Sequence, residues 1–497
     1  MSDSSIDAAA HDKRWAALAL VVVAQFMVIL DVAIVNVALP EIGADLGFSR
    51  QNLQWVITAY AIFFGGLLLL GGRLADLLGR RRIFIAGAAV FTASSLLAGL
   101  AWSDEALIAF RALQGVGGAL LAPAGLSILM TTFQEGRERN LALGIWGAAS
   151  GSGAAVGVLL GGLLTSYLSW SWNFFINVPV GAVVIALTPW LLLESRGNSL
   201  GRRHFDFAGA ASVTSGLMLL VYALTRATEI GWTSGTTIGL LSASAALIAG
   251  FVVIELRSRA PLLPLRMFRL RTLTAANVIT VIVASIAFSW FFLQTLYLQQ
   301  VLDYSAIQAG FAFVPIALTI AVFSNVAQTL VTRLGVRSVL TTGLLLTSVS
   351  LALLTRSPVD GHYFWDLFPA FLLGGIGLSL CFVPMTIAGL TGVGPGDAGI
   401  ASGLINTSRQ IGGAVGLAAV STIATTFTND YVDSHAGSTS SSSAAALTHG
   451  FESSFYLLAT LAVVGALIAA TLIRPQPPPM EIEPSHDEPV SPLEEAA

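Results

Sequence analysis

Long apolar runs separated by short polar breaks set the pattern of this chain. The first run, from Ala16 to Leu39, reads AALALVVVAQFMVILDVAIVNVAL and is followed by Pro40. At 1.5 Å per residue, a helix of that length crosses a bilayer. Fourteen such runs can be placed, at about 16–39, 53–71, 83–101, 106–130, 140–165, 174–193, 206–225, 236–256, 273–298, 306–329, 338–354, 364–388, 400–427 and 453–473. The seventh opens next to Asp206, and the thirteenth is interrupted by Asn406, Arg409 and Gln410. Ser2 to Asp12 reads as a short disordered tail. The end, PQPPPMEIEPSHDEPVSPLEEAA, is Pro-rich and acidic, which is a disorder signature.

Composition agrees with a membrane solvent. Hydrophobic residues make up 55% of the 497 and charged residues only 10%, against about 25% charged in soluble domains. The single cysteine, Cys381, excludes an internal disulfide and a Cys-based metal site. The single lysine, Lys13, lies before the first run, so there is no phosphate-loop lysine for direct ATP drive. The first run is too long for a signal peptide and is expected to stay in the mature protein. No metal-ligand cluster, nucleophile constellation or nucleic-acid patch is visible. An enzyme reading therefore has no residues to support it, and no cofactor is expected.

The basic residues orient the runs. With the N-terminus inside, 19 of the 24 Lys and Arg fall on the inner side. Arg50, Arg226 and Arg356 fall outside, and Arg111 and Arg409 fall within runs. An even number of spans with both termini cytoplasmic follows. The loops GGRLADLLGRRR (71–82) and TRLGVRS (332–338) are faintly alike. If the seventh and eighth runs are set aside, these loops occupy equivalent places in two six-span halves, an arrangement common in secondary transporters. The domains expected are a tail (1–15), a six-helix bundle (16–193), two inserted helices (206–256), a second bundle (273–473) and a tail (475–497).

A few polar residues sit where lipid penalises them. Asp31 lies eight residues from the outer end of the first run, roughly 12 Å deep. An acid at such a place costs roughly 2.5 to 3.5 kcal/mol on insertion. By that cost alone, Asn at 31 would insert at least as well. Arg111 lies roughly 8 Å deep in the fourth run and shares a helix face with Gln114 and Gly118. It could snorkel to the outer surface or pair with Asp31 facing a cavity. The three arginines Arg80 to Arg82 are explained by positive-inside anchoring and a tight turn at Gly79. Asp76 is harder to dismiss, because acids are sparse here. The N-terminal end of the thirteenth run, near Gly399 to Gly403, could partner it. Gly147/Gly151, Gly153/Gly157 and Gly157/Gly161 are each four apart, a spacing that lets helices approach closely. Gln54, Tyr60, Gln114, Asn277, Gln294, Asn406 and Arg409 are candidate cavity-lining residues, with interhelical hydrogen bonding the plainer role for most.

The stretches LDVAIVNVALP (30–40), QWVITAY (54–60), GGRLADLLGRRR (71–82), RALQGVGGALLAP (111–123), FFINVPVG (174–181), LQQVLDYSAIQAG (298–310) and GIASGLINTSRQIGGAVG (399–416) together resemble the fourteen-span drug:proton antiporters of the major facilitator superfamily. The resemblance implies an all-α membrane protein with the major facilitator fold: 14 transmembrane helices in two six-helix halves plus two inserted central helices. It implies a proton-coupled exporter of lipophilic drugs or antibiotics in the bacterial plasma membrane, a monomer driven by the proton-motive force. It assigns proton coupling to Asp31 and Arg111 and gating to Gly72, Asp76, Gly79, Arg80 and Arg81. It assigns to Gly153, Gly157, Gly161 and Gly162 the antiporter glycine helix, kinked at the interface of the halves. The departures are Leu77, where a basic residue is usual, and Val158, where proline is. An exporter of one endogenous metabolite, an uptake symporter of the same fold and a non-transporting sensor are the alternatives.

Overall fold

The computed structural model describes residues 3–48, 53, 55–134, 136–196, 206–258, 261, 263–394, 397–435 and 443–474. Gln54, the linker arginines Arg50, Arg202, Arg203 and Arg259, most of the Ser-rich stretch between α14 and α15 and the acidic tail lie outside these residues.

The helices are α1 (Asp3–Asp45), α2 (Trp55–Leu78), α3 (Arg80–Gly99), α4 (Asp104–Thr132), α5 (Arg137–Tyr167), α6 (Trp172–Phe175), α7 (Asn177–Leu191), α8 (Phe207–Ile230), α9 (Gly235–Arg257), α10 (Arg271–Leu296), α11 (Ala306–Ala312), α12 (Val314–Leu354), α13 (Phe368–Leu390), α14 (Ala398–Ser434) and α15 (Ala444–Leu472). Twelve stretches among the described residues are long and apolar enough to cross a membrane. One of them, Ile307–Leu354, contains the tenth and eleventh runs. The fifth run is α5, whose apolar end Val156–Tyr167 is too short to be counted alone. The fourteen-run layout is consistent with this.

Two expectations about α1 change. The helix starts at Asp3 instead of following a disordered tail, and it runs through Pro40 to Asp45. The run Ala8 to Ala10 has high helix propensity. The two uncertain runs form helices. Asp206 is the N-cap of α8 and accepts the Gly209 N–H at 2.7 Å, which explains an acid beside an apolar run. Helix α14 passes unbroken through Asn406, Arg409 and Gln410.

The faint repeat has a backbone counterpart. Gly79 turns between α2 and α3 at φ +115°, and Gly335 turns inside α12 at φ +79°. Both values need a residue without Cβ. At Gly79 a Cβ would also lie 2.5 Å from the Glu194 carboxylate.

Helices α1 to α7 pack mainly on one another, as do α10 and α12 to α15. The two sets meet where α2 and α4 touch α14, and where α5 touches α11, α12 and α13. Helix α8 covers α2 and α14, and α9 packs chiefly on α8. Helix α9 is mostly exposed, whereas α4 is mostly buried, so α9 is peripheral. The Trp232 indole N–H, in the turn after α8, donates to Thr422 Oγ1 of α14 at 2.6 Å and ties this hairpin to the second set.

Candidate functional site

Asp31 sits at the centre of a sealed polar cluster inside the first helical set. The Arg111 guanidinium donates to its Oδ2 at 2.6 Å, and Gln114 and Asn177 donate to its Oδ1 at 2.7 and 2.8 Å. Arg111 also donates to the Val56 carbonyl at 3.0 Å and to Gln114 Oε1. Its guanidinium lies 4.5 Å from the centre of the Tyr60 ring. Ser95 accepts from Gln114 at 2.6 Å. Asp31, Arg111, Gln114, Asn177 and Ser95 are all at most 1% exposed. The cluster draws on α1, α2, α3, α4 and α7, so no single helix could build it.

Of the two readings of Arg111, pairing with Asp31 is the observed one. Gln114 and Tyr60 belong to this cluster rather than lining the gap between the two helical sets. Gly118 packs against Tyr60 and Phe64, where a side chain would crowd the ring stack. Asn177 and Ser95 were not foreseen. Asn177 lies in the quoted FFINVPVG stretch, but its partner is 146 positions away. A charge-assisted, fully bonded carboxylate of this kind is stable only while every partner stays in place.

A second buried pair closes the C-terminal end of α2 against the N-terminal end of α14. Arg80 donates twice to Asp76 Oδ1, at 2.8 and 3.2 Å, and the Ile400 backbone N–H donates to Oδ2 at 3.2 Å. Asp76 and Arg80 are 2% and 1% exposed. Gly72 lies directly against the Gly399 carbonyl oxygen. The α14 N-terminus supplies the free N–H groups that favour a carboxylate. Arg80 also reaches Ser195, at 3.4 Å. Glu194, not singled out in the sequence, gathers the loop: it accepts the Arg81 N–H at 3.2 Å and approaches the Arg82 guanidinium to 3.5 Å. Leu77 therefore does not leave the loop without a charge network. Asp76→Asn keeps the shape and removes the charge. We expect it to lower transport turnover about tenfold with substrate affinity almost unchanged, read from initial rates and equilibrium binding. Lost affinity with normal turnover would disprove the gating role.

The glycine face of α5, expected at the interface of the halves, instead points inward within its own set. Gly153 packs on Ile29, Gly157 on Ala33 and the Leu30 carbonyl, and Gly161 on Ile34, all in α1. Gly162 is buried beside them. Helix α5 is continuous across Val158. The face that meets the second set carries Gly144, against Gln328, and Gly147, against Phe382 and Val383.

The remaining candidates lie in the second set. Asn277 accepts from Ser408 Oγ at 2.9 Å and joins α10 to α14. Asn406 donates to the Ser402 carbonyl of its own helix at 3.0 Å. Both amide atoms of Gln294 are buried without partners among the described residues. Arg409 is 7% exposed. None of these joins the Asp31 cluster.

The sequence pattern that describes the Major Facilitator Superfamily matches residues 21–417. The chain is 39% identical to the puromycin resistance protein pur8 of Streptomyces alboniger, over 93% of this chain and 92% of that one. It is 42% identical to the cephamycin export protein CmcT of Amycolatopsis lactamdurans, over 82% and 84%. Among solved structures, the human organic anion transporter MFSD10 shares its fold, with TM-score 0.64 and 16% identity over 92% of this chain and 99% of that one. With the match running through α1 to α14 and both buried ion pairs inside it, this multi-pass membrane protein belongs to the Major Facilitator Superfamily.

Proposed function

We propose that the protein is a proton-coupled exporter of small lipophilic molecules, antibiotics among them, working by alternating access as a monomer in the bacterial plasma membrane. Both termini are cytoplasmic in this reading, α8 and α9 are an insertion between two six-helix halves, and the chain is not an enzyme. The observation that carries the proposal is the sealed Asp31–Arg111 pair at 2.6 Å, in a family of transporters. The relatives named for resistance to or export of puromycin, cephamycin and tetracenomycin C support the direction and the substrate class.

The cluster explains how a proton could act. A proton on Asp31 removes the charge that Arg111 answers. Arg111 keeps the Val56 carbonyl, the Gln114 oxygen and the Tyr60 face, so the cation stays where it is. The carboxyl, now a weaker acceptor, loosens from α4 and α7 and frees α1 to move against them. The closed inner contact at Asp76 and Gly72 is then one end of the cycle, and its opening is the other. A proton moving inward gains roughly 2.3 kcal/mol per 100 mV, which drives the exchange without a cofactor.

Drug-susceptibility profiling on overexpression tests this. Cells carrying the chain should resist several structurally unrelated compounds at least fourfold and accumulate less of them, and a protonophore should abolish the difference. Greater accumulation in intact cells would identify an uptake symporter. Resistance to a single compound would identify a dedicated exporter. No change for any compound would sink the exporter reading.

A further inference from the structure

Six Asp, Glu and Arg side chains are buried among the described residues: Asp31, Asp76, Arg80, Arg111, Glu255 and Arg409. Five are answered. Asp31 pairs with Arg111 and Asp76 with Arg80, and Glu255 accepts the Leu263 N–H at 3.2 Å. Arg409 alone makes no hydrogen bond or ion pair among the described residues, and its Nε is sealed from solvent without an acceptor. A buried cation with no counter-charge is costly, and such residues mark substrate or ion pathways.

Helix geometry shows where Arg409 sits. One line along α14 faces α2: Gly399 meets Gly72, Gly403 meets Leu68, and Gln410 meets Gly65. Another line faces α10: Ser408 meets Asn277, Gly412 meets Val281, and Gly416 meets Ser285. At 100° per residue, Ser402, Asn406, Arg409 and Gly413 fall on the strip between those lines. Helix α14 packs on α2 and α4 of the first set and on α10 of the second, so the strip lies at the boundary between the sets. One turn above Arg409, the Phe288 ring lies against Gly413 and is 39% exposed. Arg409 and the Asp31 cluster are separate places. Arg409 is level with Gly65 on α2, while Arg111 bonds Val56, about nine residues or roughly 14 Å along that helix.

We propose that Arg409 is the counter-ion for an oxyanion, a carboxylate above all, on the exported molecule, and that Phe288 receives the apolar body beside it. This rests on the exporter reading and narrows its substrate class to amphipathic anions. A lipophilic cation would meet an unanswered positive charge, and among the described residues no buried acid is left over to receive it. The charge count has a further consequence. One anion leaving as one proton enters moves two unit charges, a neutral molecule moves one, and a monocation moves none. Export of an anion therefore responds to membrane potential about twice as steeply as export of a neutral molecule.

The test is fluorescence titration of the full chain in nanodiscs with dansyl-glycine, which carries a carboxylate, and dansyl amide, which does not. The parent should bind dansyl-glycine at least tenfold more tightly. Arg409→Gln should reduce that preference to less than threefold, and Arg409→Lys should keep it above threefold. Thermal unfolding of each variant is recorded. Arg409→Gln should not lower Tm, because it removes an unanswered charge. If it does, the parent and the Lys variant still decide the matter. In proteoliposomes, a potassium diffusion potential without a pH gradient should drive dansyl-glycine transport in the parent. Equal affinities in the parent, a preference unchanged in Arg409→Gln, or tighter binding of ethidium than of dansyl-glycine would each overturn the proposal. Binding is measured without a gradient, so the proton-driven exporter reading can fail while this preference stands, and the reverse.

Discussion

Asp31→Asn is expected to abolish proton-driven accumulation, to the level of cells without the transporter. Asn cannot take up a proton, and no other buried acid lies in the cluster. The structure also changes the expected effect on folding. Insertion cost alone says that Asn is tolerated at least as well as Asp. The carboxylate, however, answers Arg111 at 2.6 Å and accepts from Gln114 and Asn177. Removing one member of a buried pair typically costs about 3–5 kcal/mol, because the other charge is left uncompensated. Part of that cost is offset here, since Arg111 keeps the Val56 carbonyl and the Tyr60 face. Asp31→Asn should therefore lower the unfolding temperature, and adding Arg111→Gln should restore most of it. Coupling should stay absent in the double variant, because stability and proton exchange are separate losses. The measurements are thermal unfolding in detergent and substrate-induced proton release in proteoliposomes. Asp31→Glu, a longer carboxylate, should retain part of the proton release. Parent-like release from folded Asp31→Asn would move the proton site elsewhere.

Gly72→Ala should cost at least tenfold in transport while the protein stays in the membrane. Gly72 and Gly399 approach backbone to backbone, and a Cβ on either one would fall well inside contact distance of the other's carbonyl oxygen. Neither neighbour is a flexible side chain that could turn away, so α2 and α14 must part. Parting them also lengthens the bond from the Ile400 N–H to Asp76, now 3.2 Å. The clash exists only while this contact between α2 and α14 is closed. The substitution therefore shifts the population toward the conformer open on that side. Gly239→Ala in α9 is the control, since a Cβ there meets nothing within 4 Å. Replacing the single cysteine, Cys381, leaves a background for spin labels at the inner ends of α2 and α14. The label distance should lengthen in Gly72→Ala and stay unchanged in Gly239→Ala. Parent-like transport with an unchanged distance would show that this contact is not the closing surface.

The sequence by itself determined the solvent, the helical class and the rough place of each run. Lipid forces each run to satisfy its own backbone as a helix, so length and apolarity suffice. It also singled out Asp31 and Arg111, because an acid or arginine in an apolar run stands out on cost alone, and Asp76, because acids are sparse in this chain. Local chemistry made the inner turn readable as well, since a tight reversal before Arg80 needs the freedom of Gly79. Only the tertiary structure decided who meets whom. Asn177 and Ser95 are ordinary polar residues until three helices bring them to Asp31, and Glu194 is an ordinary acid until the loop folds onto Gly79 and Arg82. The glycine face of α5 could have met either set, because its four-residue spacing reports closeness without naming the partner. Arg409 reads from the sequence as one more polar residue in a span. Its meaning depends on every other buried charge being answered, and charge pairing across helices is a property of the packed molecule that no single run contains.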